Sequence, residues 1–315
     1  MTTSRDRTAP GGGPTSVGVR RVCVEGRKST QATGFCPIGR HRRWWLSSGT
    51  NARSHQLLCD SVADILLVHG AWQGPWCWDA FAGRLIDGGH DVRAVQLRGH
   101  DGRKGRIWHL LRDYVRDVEQ AAAQFTAPPA IVGHSMGGFV AQKYLERHAA
   151  PAAVLLASIP PGGTLGVTGR MLRSRPLAVL RANATLSMHP LVDSNTIVGE
   201  LFFGPDTPPT IVDAFYGRSQ NESYPAYVDS MFVTRARPDR VQAPVLVLGA
   251  RYDGIITVDE VQRTARRYGT EAEIFDMGHQ MMLDVGWEGV ADRVAAWAAE
   301  HEPDLRPPAD GAAPH

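Results

Sequence analysis

The stretch AIVGHSMGGFVAQKYLERH, residues 130–148, joins a short apolar run to a helix-forming run through a glycine-rich turn around one serine. Glycine is common in ordinary turns, and the alternative is a turn built to hold Ser135 outward as a nucleophile. The pattern G-x-S-x-G is a weak signal alone, because both residue types are frequent in this chain. Its position between a predicted strand and a predicted helix makes it far more telling. The stretch therefore predicts a strand–turn–helix unit with Ser135 at the turn.

Apolar runs of strand length alternate with helical periodicity from residue 63 onward. Strands are predicted at residues 63–70, 91–97, 130–134, 152–158, 243–250 and 272–277. Helices are predicted at residues 77–90, 111–125, 136–148, 258–268 and 286–301. Regular alternation of this kind indicates an α/β fold, a mostly parallel sheet with helices on both faces.

The alternation stops between residues 160 and 242, where the chain is mostly helical and rich in apolar and aromatic residues. A segment of this length cannot be a structureless loop in a compact domain. We expect an inserted helical lid over the strand ends at about residues 160–242. Most of its apolar side chains should pack in the core, and some should line a substrate pocket.

The two ends of the chain differ from the body. Residues 1–60 hold ten basic and three acidic residues, a net charge of +7, and lack sustained periodicity. We expect residues 1–61 to be a disordered basic extension, residues 62–302 to be the folded domain, and residues 303–315 to be a disordered tail. Two alternatives stay open for the extension: a natural start near Val62, or a nucleic-acid-binding arm. Weak alternation at residues 16–26 could supply an edge strand.

Composition restricts the partners and the compartment. Residues 61–315 carry 24 basic and 29 acidic residues, so the folded part is mildly acidic and no nucleic-acid partner is expected. No apolar run is long enough to span a bilayer, and no signal peptide is recognised. The four cysteines have no metal-binding or disulfide spacing and indicate free thiols in a reducing, cytoplasmic setting. These are Cys23, Cys36, Cys59 and Cys77. No metal or cofactor is expected.

A serine nucleophile needs a base that is oriented by an acid. In a strand-turn-helix hydrolase the chain order is serine, acid, histidine. Asp253 follows one predicted strand and His279 follows the last predicted strand. Asp276 and Asp284 are nearer to His279 in sequence, but one lies at a strand end and the other on the predicted last helix. The predicted catalytic residues are therefore Ser135, Asp253 and His279.

The oxyanion formed during acyl transfer needs two N–H donors. Met136 starts the helix after the serine, so its N–H has no partner within the helix. The loop after the first predicted strand offers the N–H of Ala71 as the second donor. The neighbouring Trp72 is predicted to wall the acyl or leaving-group pocket. We expect at least two of the loop's tryptophans, which include Trp76 and Trp78, to serve packing.

At about residues 62–302 the chain resembles the α/β-hydrolase superfamily. The segments that carry the resemblance are HGAWQGPWCW (69–78), GHSMGG (133–138), GARYDGIIT (249–257) and MGHQMMLDVGWEGVADRVAAW (277–297). They correspond in order to the oxyanion, nucleophile, acid and histidine segments. The first is similar to plant methylesterase and hydroxynitrile-lyase relatives, and the last is similar to bacterial lysophospholipase-like hydrolases.

The resemblance implies an eight-stranded core with a lid after the sixth strand. The first two strands are not evident in residues 1–60, so a six-stranded sheet is predicted as an alternative. The expected function is a serine esterase that acts through an acyl-enzyme on a small, apolar substrate. The same residues could serve thioester, lactone, carbon–carbon or lyase chemistry, and a receptor-like binding module is an alternative from another class. The oligomeric state is open.

Overall fold

The computed structural model describes residues 19–21, 63–102 and 105–301. The predictions for residues 1–61 and 303–315 lie outside these ranges, apart from the short segment Val19–Arg21. None of the helices in the described ranges is long and apolar enough to cross a membrane.

The centre of the fold is a seven-stranded sheet in the order β1-β3-β2-β4-β5-β6-β7. Strands β2 to β7 are parallel, and β1 pairs antiparallel with β3 at one edge. The strands are β1 (Val19–Arg21), β2 (Asp64–Val68), β3 (Asp91–Val95), β4 (Ala130–His134), β5 (Ala153–Leu156), β6 (Val245–Ala250) and β7 (Ala272–Phe275).

Helices cover both faces of the sheet. Those outside residues 160–242 are α1 (Asp79–Asp87), α2 (Leu111–Ala122), α3 (Met136–Leu145), α9 (Val258–Arg267) and α10 (Trp287–Glu300). Between β5 and β6, a helical insertion contains α4 (Leu165–Ser174), α5 (Pro176–Thr185), α6 (Asn195–Phe202), α7 (Pro209–Arg218) and α8 (Tyr224–Phe232).

Two apolar cores form because successive strand residues point to opposite faces. In β2, Leu66 and Val68 pack on the side of α2, α3 and α9. Their neighbours Ile65 and Leu67 pack on the side of α1 and α10. All four side chains are fully buried, which explains why the strand reads as one continuous apolar run rather than as an alternating one.

The six parallel strands and their flanking helices confirm the predicted fold class. The strand β1 adds an antiparallel edge within the segment whose weak alternation suggested one. The eight strands implied by the resemblance are not reached among the residues that the structure describes, which form seven.

A chain that begins at Val62 is expected to fold and to keep its activity. It lacks Val19–Arg21, which is a three-residue edge strand, whereas the described residues of the two cores all lie within residues 63–301. Edge segments with few buried contacts contribute little to global stability. Thermal melting of the full and shortened chains tests this expectation, and an insoluble or much less stable short chain would contradict it.

Candidate active site

The turn at Ser135 has a strained backbone. Ser135 lies between β4 and α3 with φ 52° and ψ −117°, a backbone conformation that non-glycine residues rarely adopt. Its N–H donates to the Leu156 carbonyl at 3.0 Å, and its carbonyl accepts from the Ile159 N–H at 3.1 Å. A side chain at Gly133 would approach the Gly137 carbonyl oxygen to 2.6 Å. Glycine is therefore required where α3 passes close to β4.

A buried histidine–carboxylate pair lies at the same edge of the sheet. The Nδ1 atom of His279, beyond β7, is 2.7 Å from Oδ2 of Asp253, beyond β6. The other carboxylate oxygen of Asp253 accepts the N–H groups of Ile255 at 2.7 Å and Ile256 at 2.8 Å. Because both carboxylate oxygens have donors, the carboxylate is fixed in one orientation toward the imidazole. Nδ1 of His279 donates to it, which leaves Nε2 as the basic nitrogen.

The two alternative acids have other contacts. Asp276 has an exposed side chain that pairs with Arg251 on the surface. Asp284 is buried, and its Oδ2 accepts the N–H groups of Gly204 at 2.8 Å and Gly278 at 2.6 Å. Asp284 therefore ties the loop that carries the histidine to the end of α6, and the structure brings only Asp253 of the three to the imidazole.

The histidine loop is held from two sides. Nε2 of His134 donates to the His279 carbonyl at 2.9 Å, and the two imidazole rings lie 4.8 Å apart. From the helical insertion, the Phe202 ring stacks on the His279 ring at 5.6 Å. The Gln280 N–H also donates to the Phe202 carbonyl at 2.9 Å. The imidazole position thus depends on both the sheet and the insertion.

A cavity, here called the serine cavity, adjoins Ser135 and has a volume of about 50 Å³. Ala71 and Met136, the predicted oxyanion donors, both line it together with Trp72. Trp72 has a left-handed backbone with φ 61°, and its indole N–H is buried without a partner. The described residues that line the cavity are Ala71, Trp72, Ser135, Met136, Ile159, Thr164, Val167, Met188, Glu222, Ala226, Tyr227, Ser230 and Ile255.

The other two tryptophans of residues 69–78 pack against side chains of the core and of the insertion. The ring of Trp78 is fully buried and contacts Phe81 edge-on at 5.3 Å. Trp76 contacts the Phe215 ring at 5.7 Å and lies under the Arg218 guanidinium at 4.4 Å. Of the three, only Trp72 borders the serine cavity.

A sequence model of the Alpha/beta hydrolase family matches residues 65–296, well over half of the chain. The chain belongs to this family. Esterase PIR7B of Oryza sativa subsp. japonica is 29% identical over 136 residues, covering 40% of this chain and 51% of that protein. Norfluorocurarine synthase 1 of Strychnos nux-vomica is 35% identical over 104 residues, covering 30% of this chain and 38% of that protein. The matched segments thus span about half or less of these relatives.

Solved α/β-hydrolase structures share the architecture at low identity. An extracellular α/β-hydrolase from a Paenibacillus species has a TM-score of 0.61 and 18% identity, and the match covers 75% of this chain and 98% of that one. Likeness at this level concerns the fold.

A buried polar cluster beside the serine cavity was not anticipated from the sequence. Nε2 of His100 lies 2.9 Å from Oε2 of Glu222, and the Tyr114 hydroxyl donates to Oε1 of Glu222 at 2.9 Å. Burial disfavours the charged form of His100, but the Glu222 carboxylate outweighs it and raises the pKa of His100. Glu222 is also the one carboxylate among the described residues that line the serine cavity.

The protein is expected to lose stability in acid through His69, which is fully buried at the end of β2. Burial, and after it the His100 ring, lower the pKa of His69 from 6.5 to about 3. In the unfolded chain His69 is protonated below about pH 6.5, whereas in the folded protein it stays neutral until the pH falls to about 3. Its contribution to stability is complete above pH 6.5 and is lost as the pH falls toward 3, by roughly 4–5 kcal/mol in all.

Urea unfolding between pH 4 and 6 measures this effect. The variant His69→Asn should show a shallower dependence of unfolding free energy on pH, by up to about 1.4 kcal/mol per pH unit. The exposed His189, replaced by asparagine, is the control. Identical slopes for wild type and His69→Asn would contradict the expectation.

Within the described ranges, no group of three or more histidine, cysteine, aspartate or glutamate side chains is arranged to hold a metal ion.

Proposed function

We propose that this protein is a serine hydrolase that cleaves a carboxylic ester, or a related acyl bond, of a small apolar substrate. The observation that carries the proposal is the strained Ser135 turn at the same sheet edge as the buried His279–Asp253 pair. Esterases among the relatives support ester chemistry, and membership in the family supports hydrolysis.

Acylation follows from the roles of these groups. Oγ of Ser135 attacks the carbonyl carbon while Nε2 of His279 takes the hydroxyl proton. Asp253 holds the imidazole by Nδ1 and stabilises the cation that forms. The N–H groups of Ala71 and Met136 stabilise the negative oxygen of the tetrahedral intermediate. The carbon–oxygen bond of the ester then breaks, and His279 returns its proton to the departing alcohol.

Deacylation repeats these steps with water. His279 takes a proton from water, the resulting hydroxide attacks the acyl carbon, and the bond to Ser135 Oγ breaks. The acid leaves, and the serine hydroxyl regains its proton from His279. No metal or cofactor is needed for this cycle.

Substrate access and choice are assigned to the helical insertion, which we propose to act as a lid. Val167, Ala226 and Tyr227 of the insertion border the same cavity as Ser135 and Trp72. We assign Trp72 to substrate binding, as one wall of this cavity. A cytoplasmic location is part of the proposal, in keeping with the unpaired thiol of the buried Cys77.

Two other functions use the same residues. The first alternative is lyase, thioester, lactone or carbon–carbon bond chemistry, and the synthase among the relatives supports it. A receptor-like module that binds a ligand with little turnover is the alternative from another class.

Labelling with a fluorophosphonate, followed by a panel of p-nitrophenyl esters, tests the proposal. Wild type should be labelled at one serine and should hydrolyse a short ester, and Ser135→Ala should do neither. Labelling without ester turnover would favour the other bond chemistries. Binding of ligands with neither labelling nor turnover would favour a receptor.

A further inference from the structure

A second cavity lies inside the helical insertion and shares two residues with the serine cavity. This insertion cavity has a volume of about 220 Å³ and is bordered by α5, α8 and the turn before α6. Met188 and Tyr227 line both cavities. The two spaces are therefore adjacent compartments, and these two residues lie on their common boundary.

The partition between the compartments has one fixed and one adaptable member. The Tyr227 hydroxyl is hydrogen-bonded to the Thr168 hydroxyl at 2.5 Å, which holds the ring in place. Met188 is almost fully buried and belongs to a small apolar cluster with Ala182 and Leu191. Methionine side chains are flexible and adapt to the groups that they contact. Met188 is therefore the adaptable side chain on the boundary between the compartments.

The active site touches the same cluster from the other side. Trp72, which borders the serine cavity, packs against the cluster formed by Ala182, Met188 and Leu191. A molecule bound at Ser135 and extending past Trp72 and Met188 would therefore enter the insertion cavity without crossing the sheet or the core.

The lining indicates what the insertion cavity would accept. All of the described residues that line it are uncharged, and most are apolar, as with Val179, Leu191 and Met231. Its polar groups partly satisfy one another, since the Tyr224 hydroxyl donates to the Asn183 side chain at 2.8 Å. An apolar cavity of about 150 Å³ can bind a benzene molecule. The insertion cavity therefore has room for an aromatic ring or a chain of about six carbons.

We propose that the insertion cavity is a second apolar subsite, which takes the distal aryl or alkyl part of an ester whose carbonyl carbon lies at Ser135. The inference rests on the proposed function and extends it to elongated esters with an uncharged distal group. The serine cavity, at about 50 Å³, holds the reacting carbonyl. The Met188 side chain moves aside so that the distal part of the ester enters the insertion cavity.

The decisive variant fills the insertion cavity from a residue that does not border the serine cavity. Ala182→Phe places a ring in it, and Leu180→Phe adds the same ring on the exposed face of the same helix. Each buried methylene strengthens binding by up to about fourfold. The ratio of kcat/KM for p-nitrophenyl octanoate to that for the acetate should fall at least about tenfold in Ala182→Phe. The ratio should be unchanged in Leu180→Phe.

A second variant tests the subsite independently, in case Ala182→Phe does not fold. Met188→Ala removes part of the partition and should raise the same octanoate-to-acetate ratio. A parallel series of acetate esters with lengthening alcohols identifies which half of the ester enters the cavity. The subsite is overturned if Ala182→Phe leaves the ratio of activity on long esters to activity on short esters unchanged in both series.

Failure of the proposed function gives a different result. If wild type hydrolyses no ester of either series, the esterase assignment fails, and the subsite is then tested by calorimetric binding of 1-octanol. Weaker binding by Ala182→Phe than by Leu180→Phe supports the subsite. Equal binding by the two variants overturns it.

Discussion

Replacing Ser135 by alanine is expected to lower kcat by at least about 10⁴-fold while leaving the fold intact. The variant loses the only atom that the proposed mechanism uses to form the acyl-enzyme, and the oxyanion donors alone retain a small part of the catalysis. The turn itself should persist, because its hydrogen bonds to Leu156 and Ile159 come from the backbone. Single-turnover kinetics and thermal melting measure the two effects.

A buried serine close to the same turn provides the control. The hydroxyl of Ser158 donates to the Ile159 carbonyl and accepts from the Gln142 side chain, and it does not border the serine cavity. Ser158→Ala should cost about 1 kcal/mol of stability, the usual value of a hydrogen bond. It should change kcat little. Near-normal turnover by a folded Ser135→Ala would remove Ser135 from the mechanism.

Local patterns were sufficient to predict the six parallel strands and the helices that flank them. In β4 and β5 every residue is buried, and such strands appear in a sequence as short apolar runs. Helix α9 was anticipated from the pattern after the acid segment, and Thr257 and Glu260 form a capping box at its start. These features depend on residues that are close together in the chain, so they can be predicted from the sequence alone.

The predicted site residues were found by their order after successive strands. Parallel strands bring their carboxyl ends to one edge, so Asp253 after β6 and His279 after β7 had to lie near each other. Asp253 was preferred to Asp276 because Asp276 lies at the end of its own predicted strand, whereas Asp253 lies in the loop beyond one. The observed hydrogen bond from His279 to Asp253 agrees with that choice and leaves its catalytic role as a proposal.

Contacts between the insertion and the sheet were not predictable from local patterns. His100 and Glu222 are 122 positions apart, and neither lies in a sequence pattern that predicts its hydrogen-bond partner. Met188 looks like any apolar residue of a helical segment until the fold places it between two cavities. Pairings of this kind depend on how the insertion docks, which apolar periodicity does not report.

The replacement of Asp253 by asparagine is the second large effect expected, a loss of kcat on the order of 10³–10⁴-fold. An amide has no negative charge to stabilise the imidazolium, and its NH₂ group can face Nδ1 of His279 and favour the wrong tautomer. The amide oxygen of asparagine can replace the carboxylate oxygen that accepts the N–H groups of Ile255 and Ile256, so the fold should survive.

Asp276 and Asp284 supply the matched controls, because each was a candidate for the same role. Asp276→Asn alters an exposed ion pair with Arg251, and exposed pairs contribute about 0–1 kcal/mol, so activity and melting should stay near wild type. Asp284→Asn weakens the contacts to Gly204 and Gly278 and should lower the melting temperature, with a smaller loss of kcat than Asp253→Asn. If Asp276→Asn or a fully folded Asp284→Asn proves the more damaging change, the acid has been assigned to the wrong residue.

The pH–rate profile separates the roles further, because loss of the true partner of His279 alters the pH dependence of kcat/KM, whereas a weakened loop contact lowers the whole profile evenly.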